Sequence, residues 1–95
     1  MISEEDRIDS FDNLALANGV RLHYSQVRQQ HWLLFPEGAL RLNHTAIAVL
    51  SLCDGDRSFK TIIQTLSSQF SDVDGDRVRD LLLQMMKRGL LINTR

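Results

Sequence analysis

The stretch from Leu33 to Gly55 constrains the fold most, because an apolar run, a turn, an alternating segment and a helix start follow one another without a gap. The apolar run ends in the turn Pro36-Glu37-Gly38, and the alternating segment Ala39–Leu42 comes next. Proline and glycine mark turns, and alternation of apolar and polar residues is typical of a strand. Asn43 then precedes an apolar run with helical spacing, which is the pattern of a helix N-cap. The sequence therefore predicts a hairpin that leads directly into a helix.

The remaining patterns complete a small α+β domain. Alternation in residues 20–25 predicts a first strand, and residues 31–35 form the second strand of an antiparallel meander. Apolar stripes predict three helices after it, over 43–53, 59–70 and 76–88. Asp54-Gly55 and Gly89 are expected at the ends of the first and third helices, and Ser58 at the start of the second. The predicted fold is a three-stranded antiparallel sheet followed by three helices, similar to a winged helix-turn-helix. The segment 90–92 either returns as a short strand or covers the core.

Composition and charge limit the class of protein. Ninety-five residues suffice for one domain, and no apolar stretch is long enough to span a membrane. The single cysteine cannot form an internal disulfide, which favours a cytoplasmic protein. Residues 1–18 hold five acidic residues and one basic residue, a net charge of −4, so the rest of the chain carries +3. We expect a flexible acidic tail over 1–18 and a folded domain over 19–95, with too weak a positive field for a dedicated nucleic-acid binder.

The sequence predicts no catalytic residue, metal site or cofactor. The glycines are scattered, so no phosphate-binding loop is present, and no serine lies in a nucleophile elbow. The three histidines lack the close spacing of zinc ligands. Asp72, Asp74 and Asp76 alternate as in a calcium loop, but Arg77 stands where that loop requires glycine. Cys53 lies on an apolar stripe and is expected to be buried.

Two features indicate a binding surface. The strand Ala39–Leu42 has no evident later partner, so its edge is expected to be free. The third helix carries apolar residues over an arc of about 200°, twice the width that a core-facing stripe needs. Either this helix is buried on two sides, or part of the arc lines a groove.

The motifs along this stretch resemble those of one family. The PqqD family has two paired signatures, and this chain carries similar motifs. The first is Leu33-Leu34-Phe35-Pro36-Glu37-Gly38 followed by Leu42-Asn43, with Phe35 in place of the usual tyrosine, and the second is Cys53-Asp54-Gly55. A matching second helix and the ending Arg88-Gly89-Leu90-Leu91 extend the resemblance over about residues 19–92. Members of this family are peptide chaperones of pyrroloquinoline quinone biosynthesis.

The resemblance implies a non-catalytic function. It implies that the chain binds the precursor peptide PqqA and presents it to the radical S-adenosylmethionine enzyme PqqE. In the family the peptide adds as a strand to the third strand and packs against the third helix, in agreement with the free edge and the wide arc. Leu81 and Met85 are expected to face the core. The expected contacts are Leu40, Arg41 and Leu42 on the strand, and Val78, Arg79, Leu82, Leu83 and Met86 on the helix.

Two other functions stay open at this point. A winged helix suggests DNA binding, for which Arg77, Arg79, Lys87 and Arg88 are available on the third helix. A direct quinone binder would use Tyr24, Trp32 and Arg41 around a flat anionic ligand. A homodimer also stays possible, because the loops 25–30 and 54–58 could act as hinges for the exchange of strands or helices between two chains.

Overall fold

A computed structural model describes residues 13–94 of the chain. The elements follow in the order β1 (Leu14–Leu16), β2 (Arg21–Ser25), β3 (Gln30–Phe35), β4 (Gly38–Leu42), α1 (His44–Leu50), α2 (Phe59–Gln69), α3 (Gly75–Lys87) and β5 (Leu91–Asn93). Strands β2, β3 and β4 form an antiparallel sheet in that order, and β1 pairs with β5 in a second, two-stranded sheet. The predicted α+β class, with a three-stranded sheet followed by three helices, is confirmed.

Each helix begins at a polar side chain that accepts a backbone hydrogen bond. Asn43 Oδ1 accepts from the N–H of Ala46 at 2.8 Å, and Ser58 Oγ accepts from the N–H of Thr61 at 3.1 Å. Asp74 caps α3 in the same way. These short-range bonds satisfy donors that have no partner inside the helix. The predicted N-caps of the first two helices are therefore confirmed.

The end of α1 differs from the prediction. The helix stops at Leu50 rather than at Cys53, and Gly55 lies in a turn several residues beyond it. Gly55 has a φ of +93°, a conformation that glycine adopts without steric cost. Its N–H donates to the carbonyl oxygen of Leu14 at 2.9 Å, and the N–H of Leu14 donates to the carbonyl oxygen of Arg57 at 3.0 Å. The glycine is needed for the turn that holds β1, and it does not cap the helix.

The same turn is stabilised by Asp54. One carboxylate oxygen of Asp54 accepts from the N–H of Asp56 at 3.0 Å, and the other lies 2.5 Å from the guanidinium of Arg57. The bond from Asp56, together with the charge of Arg57, lowers the pKa of Asp54 below its ordinary value. The side chain therefore stays ionised wherever the protein is folded near neutral pH.

Strand β1 corrects the predicted boundary of the N-terminal tail. The sequence places Leu14 and Leu16 in the tail, whereas the structure pairs them with Asn93 and Leu91 of β5. Asn13 continues this pairing, because its carbonyl oxygen accepts from the N–H of Thr94 at 2.7 Å. A three-residue strand carries too few residues for its alternation to be recognised in the sequence. Residues 1–12 of the predicted tail lie outside the described residues.

The core connects both sheets with all three helices. Its fully buried side chains come from β1, β3, α1, α2, α3 and β5, and they are Leu14, Leu33, Val49, Leu50, Ile62, Leu82 and Leu91. The segment after α3 is strand β5, so the strand alternative for residues 90–92 is the correct one. Within residues 13–94, no helix is long and apolar enough to cross a membrane.

We predict that Leu14→Ala destabilises the protein by about 2–5 kcal/mol, because it leaves a cavity in the core where Leu14 is completely buried. The measurement is the free energy of unfolding in urea. Val27→Ala is the control, since Val27 is 96% exposed in the loop between β2 and β3 and its truncation should change stability by less than about 0.5 kcal/mol. Equal stabilities of the two variants would contradict the placement of β1.

Candidate functional site

Strand β4 has a strand neighbour on one side only. It pairs with β3 through the two-residue turn Pro36-Glu37, which brings Phe35 opposite Gly38. No other described strand lies against its second side. The prediction that the edge of this strand is free in the monomer is confirmed for the part of the chain that the structure covers.

The register of the hairpin determines which backbone groups of β4 are free. A two-residue turn closes on a hydrogen-bonded pair, here Phe35 with Gly38, and hydrogen-bonded pairs alternate along an antiparallel ladder. Leu40 and Leu42 therefore direct their N–H and C=O groups to β3. The groups of Ala39 and Arg41 point away from the sheet, and both side chains are exposed. A strand that adds to β4 would use the backbone of these two residues.

Both ends of helix α3 have contacts close to the hairpin that contains β4. Near the hairpin turn, the guanidinium of Arg88 stacks over the ring of Phe35 at 6.0 Å. At the other end of the strand, Val78 and Arg77 line a cavity together with His44, which follows β4 by two residues. These two contacts place the end of α3 near the hairpin turn and its start near the residues that follow β4, and packing of a peptide against α3 stays a prediction.

The cavity at the end of β4 has a volume of about 360 Å³ and lies between α1, the end of α2, the loop before α3 and the start of α3. Its wall is mostly apolar, and the ring of Phe70 is 51% exposed at it. Charged side chains of both signs lie at its rim. Val78 is the one predicted contact that lines this cavity, and the other lining residues include His44, Thr45, Ala48, Phe70, Val73 and Arg77. We call the free edge of β4 together with this cavity the edge site.

The apolar arc of α3 is used differently from the prediction. Val78, Leu82 and Leu83 were expected to line a groove, but all three belong to the buried core, and Leu82 is completely buried. Met85 is buried, as expected, whereas Leu81 is only half-buried. Met86 is half-buried, and Val78, although nearly buried, borders the cavity of the edge site. The core takes more of the arc because α3 packs against several elements at once.

Arg79 faces α2 and does not extend freely into solvent. Its guanidinium stacks over the ring of Phe59 at 5.2 Å, and its Nη1 lies 3.2 Å from a carboxylate oxygen of Asp76. The side chain is 27% exposed, compared with 86% for Arg77 on the same helix. An arginine whose stem covers an aromatic ring contributes to packing as well as charge. The position of Arg79 thus gives it a packing role, and its contact with a peptide stays a prediction.

The residues that would serve the two other functions are not brought together. Trp32 is the cross-strand partner of Arg41. Tyr24 is instead the cross-strand partner of His31, the residue before Trp32, and the two rings lie 4.7 Å apart between centroids. Alternation along strands places Tyr24 on the other face, so the three do not surround one ligand. On α3, Arg79 is packed on α2, which interrupts the basic surface that DNA recognition would need.

Cys53 is not a reactive thiol. It is buried, and its Sγ lies 3.5 Å from the carbonyl oxygen of Val49. Burial, with a smaller contribution from the charge of Asp54, raises the pKa of the thiol to about 12. Among the described side chains, no group of three His, Cys, Asp or Glu residues could hold a metal ion.

The comparisons with known proteins agree with this geometry. The fold and the edge site define a small α+β domain whose three-stranded sheet leaves the outer side of β4, like that of β2, without a strand partner among residues 13–94. The model of the family "Coenzyme PQQ synthesis protein D (PqqD)" matches residues 30–91, and the chain belongs to this family. A relative from Kluyvera intermedia, a PqqA binding protein, is 37% identical over 72% of this chain and 76% of its own length. Another PqqA binding protein, from Pseudomonas putida, is 37% identical over 82% of this chain and 87% of its own length.

Solved structures share the fold. The solution structure of the PqqD truncation of Methylobacterium extorquens PqqCD, a stand-alone recognition element for ribosomally synthesized and modified peptides, superposes with a TM-score of 0.64. It is 30% identical, and the match covers 90% of this chain and 98% of that one. The heterocyclase TruD has a TM-score of 0.62 at 17% identity, and the match covers 83% of this chain but 11% of TruD. The same fold therefore also occurs as a small segment of a larger protein.

We predict that Arg79→Glu lowers the free energy of unfolding by about 1–2 kcal/mol, because it removes the stacking on Phe59 and places a second carboxylate beside Asp76. Arg77→Glu is a matched control on the same helix, since Arg77 is largely exposed and its nearest carboxylate, on Asp74, is 3.9 Å away. That control should change stability by less than about 0.5 kcal/mol in urea unfolding. Equal losses for both variants would contradict the packing role of Arg79.

We predict that burial of Cys53 makes folding less favourable at alkaline pH. The unfolded thiol ionises near its ordinary value of 9.0, but the folded thiol stays protonated to about 12. The contribution is therefore fully present below pH 9 and is lost as the pH rises, at up to about 1.4 kcal/mol per pH unit. The measurement compares urea unfolding of the wild type and Cys53→Ala from pH 8 to 10.5. A stability difference between the two that does not depend on pH would contradict the shifted pKa.

Proposed function

We propose that this chain is a non-catalytic adaptor that binds the precursor peptide PqqA and presents it to the enzyme PqqE. Membership of the PqqD family and the two relatives that are PqqA binding proteins support the choice of peptide. The observation on which the proposal depends is the unpaired edge of β4 with an apolar cavity at its end. The assignment of PqqE as the enzyme rests on the family resemblance. A homodimer stays a prediction, and the proposed binding does not require one.

The peptide would bind by strand addition. The free N–H and C=O groups of Ala39 and Arg41 offer fixed hydrogen-bond partners to an extended segment, and these bonds set its register. Such bonds form with any sequence, so they supply affinity without selecting the peptide. The edge of β4 is therefore expected to orient the peptide rather than to recognise it.

Selectivity would come from the side chains beside the edge. The exposed guanidinium of Arg41 suits a carboxylate of the incoming strand, which it can bind through two parallel hydrogen bonds. The cavity that includes Phe70 and Val73 has room for an apolar side chain of the peptide. The half-buried side chains of Leu40 and Leu42 lie on the core face of the sheet. Every second side chain of an added strand would point to this same face and would lie beside these two leucines.

The register of β4 identifies a sharp test. Ala39→Pro removes a backbone N–H that points away from β3, so the existing sheet keeps its hydrogen bonds, and proline is tolerated on edge strands. We expect this variant to bind a synthetic PqqA peptide about three- to tenfold more weakly in calorimetric titration, because one strand–strand hydrogen bond is lost. Ala39→Ser is the matched control, since it changes the side chain but keeps the N–H.

Two outcomes separate the parts of the proposal. Equal affinities of Ala39→Pro and Ala39→Ser, with both variants folded, would show that the peptide does not add to β4. Absence of PqqA binding by the wild type, with or without PqqE, would contradict the proposed function itself. Leu42→Pro is a poorer probe, because the N–H of Leu42 faces β3 and its loss would damage the sheet.

A further inference from the structure

We propose that a second cavity, at one corner of the three-stranded sheet, is a carboxylate-binding subsite. Strand β4 ends at Leu42 opposite His31, whereas β3 begins one residue earlier at Gln30, which pairs with β2 only. After Leu42 the chain turns into α1, which begins at His44. A cavity of about 470 Å³ lies at this step between the two strand ends, and we call it the corner cavity. Its polar lining residues are Gln29, Gln30, His31, Arg41, Asn43 and His44.

The corner cavity lies at the free edge of the sheet. Side chains alternate between the two faces of a strand, which places Arg41 on the outer face, the side that points away from the core. The next residue, Leu42, lies on the core face together with its cross-strand partner His31. Because residues of both faces line the cavity, it opens around the end of β4 rather than on one side of the sheet. An extended segment that adds to β4 would therefore pass beside it.

The polar side chains around the corner cavity can all donate hydrogen bonds, and none of them is a carboxylate. Arg41 is exposed and always charged, and the imidazoles of His31 and His44 can each donate a ring N–H. From residue 13 to residue 53 the chain has a single carboxylate, Glu37, which lies in the turn at the opposite end of the β3–β4 hairpin. The cavity therefore suits an anion, and a planar carboxylate matches the fork of a guanidinium.

His44 is shared by the corner cavity and the apolar cavity of the edge site. The apolar cavity also has two acidic lining residues, Asp72 and Asp74. Asp74 caps α3 and lies 3.9 Å from Nε of Arg77, so its charge is already directed to that helix. Asp72 is exposed in the loop before α3. Neither of them lines the corner cavity, so a carboxylate bound there would be surrounded by donors.

The ligand would be an acidic side chain of the peptide that adds to β4, and this assignment rests on the proposed function. Since the two cavities meet at His44, an apolar side chain in one and a carboxylate in the other would come from nearby positions of the same peptide. The ring of Tyr24, 4.7 Å from the ring of His31 between centroids, restricts this imidazole before the peptide arrives. The two cavities would thus fix the position of the peptide along β4, which backbone hydrogen bonds alone do not select.

The experiment combines one variant of the protein with one variant of the peptide. His44→Leu keeps an apolar wall for the first cavity but removes the donor for a carboxylate. His23→Leu is the matched control, because His23 is an exposed histidine of β2 that lines neither cavity. Each protein is titrated calorimetrically with two synthetic peptides that are both amidated at the C-terminus. One is PqqA, and in the other every aspartate and glutamate of PqqA is changed to the corresponding amide. Urea unfolding checks that both variants are folded.

We expect His44→Leu to bind PqqA about five- to tenfold more weakly than the wild type, because a hydrogen bond to a charged group is lost. His23→Leu should match the wild type. The wild type should bind the amide peptide more weakly than PqqA by at least the same factor. With the amide peptide, His44→Leu should cause no further loss, because the two changes remove the same interaction.

Three outcomes would contradict the inference, and they separate it from the proposed function. Equal affinities of the wild type for the two peptides would overturn the carboxylate subsite and leave the proposed function intact. A loss in His44→Leu that is equally large with both peptides would also overturn the subsite alone, since the histidine would then act on something other than a carboxylate. Absence of PqqA binding by the wild type would contradict the proposed function and the subsite together.

Discussion

The pairing of β1 with β5 decides which backbone groups of this fold remain open. Strand β1 pairs with β5, the last strand of the chain that the structure describes. The turn at Asp54-Gly55 holds β1 in this position through backbone hydrogen bonds with Leu14. Neither of these strands therefore extends the three-stranded sheet, and among the described residues the outer sides of β2 and β4 both lack a strand partner. The exposed N–H and C=O groups on such an edge are hydrated, so they cost little until an added strand replaces the water.

The three-stranded sheet presents three distinct surfaces. Its inner face packs on the core through Leu33, its edge at Ala39 and Arg41 offers backbone hydrogen bonds, and its outer face combines Trp32 with basic side chains. The core face makes the edge rigid, because side chains of β4 are anchored between β3 and the helices. A rigid edge loses little conformational entropy when a peptide binds, so less of the favourable interaction energy is offset and the affinity is higher.

Helix α3 supports the edge site mainly by being buried. Val78, Leu82 and Leu83 fix the helix in the core, and only the half-exposed side chains and the start of the helix remain for contacts. The cavity forms where α3 begins, because α1, the end of α2 and the loop before α3 meet there without filling the space. The site consequently consists of the backbone of β4, the side chains of Arg41 and Arg77, and a small, mostly apolar cavity.

The local order of the chain could be predicted because it depends on neighbours within a few residues. The caps at Asn43 and Ser58 form hydrogen bonds over three residues, and the turn Pro36-Glu37 closes the hairpin directly. The three-stranded sheet and the starts of α1 and α2 could therefore be predicted from the sequence, whereas β1 and the end of α1 could not. The pairing of β1 with β5 and the position of Arg79 on Phe59 could not be predicted in this way. They join residues that are far apart in the chain, and packing of the whole domain selects them. The same holds for the apolar arc of α3. The sequence shows which residues of this helix are apolar, but only the tertiary structure determines which of them the neighbouring elements bury in the core.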